Sequence, residues 1–130
     1  MDAKADIIFK TQSEGNDRFG IGTVCVDQNR DGYDDVVIGA YRYNGSQGRS
    51  YLFYGNSKKN LDTNPDIIFD GEVEGSNYGF REVYGDIDGD NVNDIIIGAY
   101  FYRQQVGRVY VYWGKRNFVR YSAANVIVRL

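Results

Sequence analysis

The chain repeats itself. Asp6-Ile7-Ile8-Phe9 recurs as Asp66-Ile67-Ile68-Phe69, and Glu14-Gly15 recurs as Glu74-Gly75. Phe19-Gly20 returns as Tyr78-Gly79, and Val37-Ile38-Gly39-Ala40-Tyr41 returns as Ile96-Ile97-Gly98-Ala99-Tyr100. Gly48-Arg49-Ser50-Tyr51 matches Gly107-Arg108-Val109-Tyr110. The spacing is about 59–60 residues, and Asn125-Val126-Ile127-Val128 is a weaker echo of the first segment. A fixed period makes each copy one structural unit, and such units are stable by stacking on one another rather than alone.

Each copy reads as short strands punctuated by Gly, Asn and Asp. The first copy predicts strands over Phe19–Val26, Asp35–Tyr43, Arg49–Tyr54 and Ile67–Phe69. The second predicts Phe80–Tyr84, Ile95–Tyr102, Arg108–Trp113 and Val126–Leu130. No stretch of helical length carries a 3.6-residue apolar period. The 12 Tyr, 16 Gly and single Pro suit strands joined by tight turns. Continuous apolar runs at Val36-Val37-Ile38 and Ile95-Ile96-Ile97 imply strands buried on both faces. The fold expected is all-β: two four-stranded antiparallel blades of a β-propeller in one unit over 1–130. Blade 1 spans about 11–70 and blade 2 about 71–130, with 6–10 an extra outer-strand segment.

Two acidic loops lie between the first and second strands of each copy. They are Asp27-Gln28-Asn29-Arg30-Asp31-Gly32-Tyr33-Asp34-Asp35 and Asp86-Ile87-Asp88-Gly89-Asp90-Asn91-Val92-Asn93-Asp94. Oxygen-bearing side chains recur at loop positions 1, 3, 5 and 9: Asp27, Asn29, Asp31 and Asp35, then Asp86, Asp88, Asp90 and Asp94. Position 7, Tyr33 or Val92, offers a backbone carbonyl. Ca²⁺ takes 6–8 hard oxygen ligands in a flexible shell, which a curling loop with alternate oxygens provides. Gly32 and Asn91 tolerate the positive φ that the sharp turn at position 6 demands. An EF-hand would need Glu at position 12, where this chain has Ile38 and Ile97 inside strands. Two Ca²⁺ per chain are expected. The second loop, with four carboxylates against three, should bind more tightly.

Phe19-Gly20, the D-x-[ND]-x-D-G-x-x-D loop and Ile38-Gly39-Ala40-Tyr41 resemble the FG-GAP repeat of integrin α-subunit β-propellers. Tyr78-Gly79, Asp86 to Asp94 and Ile97-Gly98-Ala99-Tyr100 carry the likeness through the second copy. Tyr41 and Tyr100 stand where the motif has Pro, and Tyr78 where it has Phe. The resemblance implies structural Ca²⁺ on one face of a propeller and ligands on the opposite face. The ligand loops would be Arg42 to Gln47, Arg103 to Val106, Thr11 to Arg18 and Asp70 to Asn77. It also implies an extracellular or cell-surface setting. Similar repeats occur in fungal sugar-binding lectins and microbial surface proteins, and no integrin ligand residue is matched here.

Function narrows by exclusion. The chain has no His and one Cys, so a nucleophile–base set is lacking and an enzyme is not expected. Cys25 reads as a small core residue on a strand. A net charge of −3 with no basic stripe excludes nucleic acid. No apolar run reaches membrane-spanning length, and Met1 to Asp6 has no leader-like apolar stretch. Two binding functions stay open: an adhesion module for a protein ligand, and a lectin using Tyr41, Tyr43, Tyr100, Tyr102, Tyr110, Tyr112 or Trp113 as sugar platforms. Packing between blades is the competing use of those rings. Arg49 and Arg108 recur at one repeat position and are expected to form ion pairs or carbonyl clamps within the fold. Two blades per chain cannot close a ring of four to eight, so self-association is expected, a trimer ahead of a tetramer.

Overall fold

The computed structural model describes residues 3–11, 13–58, 61–114 and the backbone of 126–129. The strands are β1 (Phe19–Val26), β2 (Asp35–Ala40), β3 (Arg49–Phe53), β4 (Ile67–Asp70), β5 (Tyr78–Gly85), β6 (Asp94–Ala99), β7 (Arg108–Tyr112) and β8 (Val126–Arg129). They form two four-stranded antiparallel sheets, β1-β2-β3-β4 and β5-β6-β7-β8, each strand beside its sequence neighbour. This is the up-and-down sheet of a propeller blade. The second strands are shorter than the sequence predicts. After Ala40 and Ala99 the chain leaves the sheet in tight turns at Tyr43–Ser46 and Tyr102–Gln105, whose inner residues Asn44, Gly45, Arg103 and Gln104 have positive φ. The strand-like segment at Ile7 to Phe9 joins no ladder among the described residues.

Side-chain alternation explains how the sheets stack. On β2, Val37 points into the core shared with blade 2, while Val36 and Ile38 point to the opposite face. On β6, Ile95 and Ile97 point back at blade 1. One face of the first sheet, with Val26, Val37, Leu52, Ile67 and Phe69, therefore meets the other kind of face of the second sheet, with Tyr78, Ile95, Ile97, Tyr110 and Tyr112. The contact is head-to-tail. The face of blade 1 turned away from blade 2 repeats the pattern with Phe19, Ile38, Tyr51 and Phe53.

Ring geometry makes the repetition quantitative. Phe69 packs on Tyr112 at 4.6 Å between centroids, and Phe9 packs on Phe53 at 4.5 Å. Tyr78 meets Tyr110 edge-on at 5.0 Å, and Phe19 meets Tyr51 edge-on at 5.5 Å. Phe9 thus occupies on blade 1 the place that the β4 residue Phe69 takes on blade 2. Burying one such ring stabilises by roughly 1.5–3 kcal/mol.

Cys25 is a correction to the sequence reading: it is exposed. The period of two in β1 turns Val24 and Val26 to the core and Cys25 to the other side. The recurrent arginines are ion-paired. Arg49 meets Asp70 at 2.5 Å and stacks 4.0 Å over Tyr43. Arg108 meets Glu72 at 2.8 Å and stacks 3.7 Å over Tyr102. The partners differ because the residue paired with Arg49 across the sheet is Asp70, whereas Arg108 faces Arg129. The connection between the blades supplies Glu72 instead.

That connection, residues 71–77, is laced to the turn between β2 and β3. Gly71, Gly75 and Asn77 donate amides to the carbonyls of Gly48, Gly45 and Ser46 at 3.0, 3.0 and 2.8 Å. Gly48 runs beside Tyr78 with φ of 86°, and a Cβ there would lie 2.0 Å from the Tyr78 carbonyl oxygen. Gly75 also has positive φ, 78°, but faces open space. Gly75→Ala should therefore cost only the left-handed penalty, about 1–2 kcal/mol. Gly48→Ala should cost clearly more, because backbone must move. Urea unfolding of the two variants beside the parent measures the difference, and equal losses would contradict this packing.

Candidate metal centre and ligand face

The acidic loops leave β1 and β5 at one end of the sheets, and the turns after β2 and β6 leave at the other. The antiparallel topology therefore separates two kinds of site. Both acidic loops curl because their carboxylates accept amides from within the loop. Asp27 accepts the amides of Asp31 and Gly32 at 3.0 and 2.9 Å, and Asp31 accepts that of Tyr33 at 2.9 Å. Asp86 accepts those of Gly89, Asp90 and Asn91 at 2.8, 3.0 and 2.9 Å. The turn at position 6 has φ of 90° at Gly32 and 67° at Asn91. A second left-handed residue sits at position 4, Arg30 at 59° and Gly89 at 78°. The sequence reading missed it, although Gly89 was the available signal.

Position 9 has a double role. Asp35 is fully buried and accepts the amides of Gln28 and Gly55 at 3.1 and 2.9 Å. Asp94 does the same with Ile87 and Gly114 at 2.8 and 2.9 Å. Each ties its loop to the segment after the third strand of its blade, a use the sequence did not reveal. Burial pushes Asp35 up to about 6; the two amides oppose the shift, and Asp31 and Asp27 add to it.

Asp86, Asp88 and Asp94 each bring a carboxylate oxygen within 4.8 Å of the others. Asp90 lies outside this trio, with one oxygen accepting the Val92 amide at 2.8 Å. In the first loop, Asn29 donates its side-chain amide to Asp31 at 3.0 Å, and of positions 1, 3, 5 and 9 only three carry carboxylates. Among the described residues no trio of carboxylates gathers there. At position 7 the side chains differ, Tyr33 being exposed and Val92 buried. Hard oxygens gathered on a curled loop suit a divalent cation of the Ca²⁺ or Mg²⁺ kind.

At the other end lies a row of rings that crosses from blade to blade. Tyr41 meets Phe80 at 5.2 Å, Phe80 meets Tyr100 at 4.8 Å, and Tyr100 meets Phe101 at 5.8 Å. Tyr100 and Phe101 are exposed. Tyr102, Tyr110 and Tyr112 are buried and Tyr43 packs on the core, so those four serve packing. Behind Tyr100, the turn holds Arg103, Gln104 and Gln105 at φ of 44°, 56° and 76°. Three consecutive left-handed residues without glycine make this a strained turn.

The family pattern described as FG-GAP repeat matches residues 19–53 and 83–112. Integrin alpha-6 of Gallus gallus is 32% identical over 113 residues, which is 84% of this chain and 10% of that protein. Phosphatidylinositol-glycan-specific phospholipase D of Bos taurus is 31% identical over 125 residues, 85% of this chain and 15% of its own length. Integrin alpha-PS2 of Drosophila melanogaster is 40% identical over 93 residues, 64% of this chain and 6% of that protein. The chain thus spans a small part of each of these relatives. With two β-propeller blades, an acidic loop in each and the family pattern over both, the chain belongs to the FG-GAP repeat family.

Proposed function

We propose that the chain is a Ca²⁺-stabilised binding module of the adhesion type, which presents the turns after β2 and β6 to a protein ligand outside the cell. The observation that carries this reading is the separation of the two ends: an oxygen-rich loop set at one, exposed rings on a strained turn at the other. The likeness to integrin alpha chains supports the adhesion role and the extracellular or cell-surface setting. Among the described residues no helix is long and apolar enough to cross a membrane. The phospholipase activity in the name of other relatives belongs to those proteins, and the role proposed for this chain is binding without catalysis.

The cation ligands we assign are Asp27, Asn29, Asp31, Asp35 and the Tyr33 carbonyl, then Asp86, Asp88, Asp90, Asp94 and the Val92 carbonyl. Bound Ca²⁺ would neutralise the mutual repulsion of these carboxylates and fix the loops. At tenfold excess over its dissociation constant each ion adds about 1.4 kcal/mol. Chelation should therefore lower the melting temperature by several degrees. Asp88→Ala should remove only the increment that Ca²⁺ supplies. Asp94→Ala should also cost about 2–3 kcal/mol in chelator, because the buried Gly114 amide and the part-buried Ile87 amide lose a charged acceptor. Melts with and without Ca²⁺ separate the two, and an unchanged parent melt on chelation would overturn the cation assignment.

A second reading, carbohydrate binding, draws support from the row Tyr41, Phe80, Tyr100 and Phe101, whose outer rings are open to a sugar face. Arraying Ca²⁺-loaded protein against glycans and against peptides decides between them. Peptide binding lost in Tyr100→Ala with an unchanged melt supports the first reading. Glycan binding lost in the same variant replaces it with the second.

The aromatic outward face of blade 1 supports self-association, which we propose as well. The outward face of blade 1 holds a cavity of about 300 Å³ lined by Phe19, Tyr43, Arg49, Tyr51 and Phe53 among others. These rings match those by which blade 2 grips blade 1. A second copy offering Ile96, the half-buried counterpart of Val37, would fill it. Successive head-to-tail contacts of this kind close into rings. The proposed assembly is a trimer of six blades, ahead of a tetramer of eight. Native mass spectrometry in millimolar Ca²⁺ should show the closed ring, and a monomer at micromolar concentration would sink it.

A further inference from the structure

A carboxylic acid is buried in the seam between the blades. Glu82, on β5, is only 7% exposed. Its counterpart in blade 1 is Thr23, since Glu82 pairs with Ile97 as Thr23 pairs with Ile38. Thr23 is exposed on β1, whereas Glu82 reaches across the seam into blade 1.

The slot that receives it is built by absent side chains. A Cβ at Gly22 would lie 1.8 Å from Glu82 Oε2, and one at Gly39 would lie 2.2 Å from Oε1. Two glycines of blade 1 thus make room for a carboxyl group of blade 2. Inside the slot the buried Ser50 hydroxyl donates to Oε1 at 2.8 Å. Oε2 is buried and has no hydrogen-bond partner among the described residues.

The groups around the slot do not favour a charge. β1 contributes Gly22, β2 Gly39, β3 Ser50, and β5 the Gly79 carbonyl oxygen, 2.0 Å from where a Cβ on Gly39 would stand. No charged side chain is among the groups that set the ionisation of Glu82. Arg49 is turned to Asp70, and Arg81 beside Glu82 is exposed. The titratable neighbour is Tyr78, fully buried and pushed up by burial, by Tyr112 and Tyr110, and by Glu82 itself, so it stays neutral. Burial outweighs the Ser50 hydrogen bond and pushes Glu82 up to about 7.

We propose that Glu82 is a protonation latch on the blade seam: neutral, it closes the seam, and ionised, it admits water to the slot and loosens blade 2 from blade 1. An ionised carboxylate with one bare oxygen among glycines is costly to keep dry, and opening the slot relieves that cost. The sign follows from proton counts. The folded chain holds the proton to about 7 and the unfolded chain releases it near 4.5, so the latch contribution is full below about 4.5. It is lost as pH rises to about 7 and is constant above.

Asp35 titrates in part of the same window, so the test compares variants in saturating Ca²⁺ rather than reading one profile. Melting temperatures of the parent, Glu82→Gln and Glu82→Thr are followed from about pH 5 to about pH 8. The parent should lose several degrees relative to both variants across this range, and Glu82→Thr restores the residue of blade 1. A ¹³C titration of the parent's Glu82 carboxyl should move near neutrality, and the protection of the Gly22 and Gly39 amides relative to their intrinsic exchange rates should fall above it. Parallel melting profiles, a carboxyl titrating in the ordinary glutamate range, or glycine protection indifferent to pH would each overturn the latch. The carboxyl and exchange readouts need no variant, so the test survives if both substitutions fail to fold.

Discussion

A β-sheet with apolar residues on both faces cannot end in water, and most of this structure follows from that constraint. Val36, Val37 and Ile38 occupy successive positions on β2, so two opposite faces must be covered at once. The chain covers one with its second blade and part of the other with Phe9. Because the two faces carry different residues, the contact between blades has a direction. The strand lengths, the laced connection at 71–77 and the glycines that admit Tyr78 and Glu82 all serve to hold the sheets at stacking distance.

Much of this was legible in the sequence because a repeat reveals itself twice. Strand β1 falls at its predicted bounds, and β3 and β4 within a residue of theirs. The ends of β2 and β6 were overread, because Tyr41-Arg42-Tyr43 and Tyr100-Phe101-Tyr102 have strand-like composition. Their backbone is set by the need to turn back beneath the next blade. Cys25 was misread because residue type says nothing about which side of a strand a position faces. The loop oxygens were legible from spacing alone. The clamping of Asp35 and Asp94 to Gly55 and Gly114 was not, since partners 20 residues away are joined only by the folded sheet. Glu82 left no signal either: its burial depends on glycines of the other blade.

The two ends of the blades use opposite chemistry for one purpose. At the acidic end, Asp27 and Asp86 accept amides of their own loops and hold them curled. At the other end, left-handed residues such as Arg103 and Gln104 hold Tyr100 and Phe101 outward at a cost in backbone strain. The same strands carry both ends, so the seam that fixes the sheets fixes the distance between them.

The directional seam also governs how such a chain can change over generations. Val37 touches residues of the next blade, while Val36 belongs to the face turned the other way. Neighbours in sequence therefore answer to different partners in space. A change at Val37 is compensated about one repeat further along, at positions such as Ile95 or Tyr112, and never at Val36. In a duplicated ancestor with identical copies, one mutation would strike two seams from opposite sides. Divergence between the copies, as at Thr23 and Glu82, is what lets each seam be tuned alone.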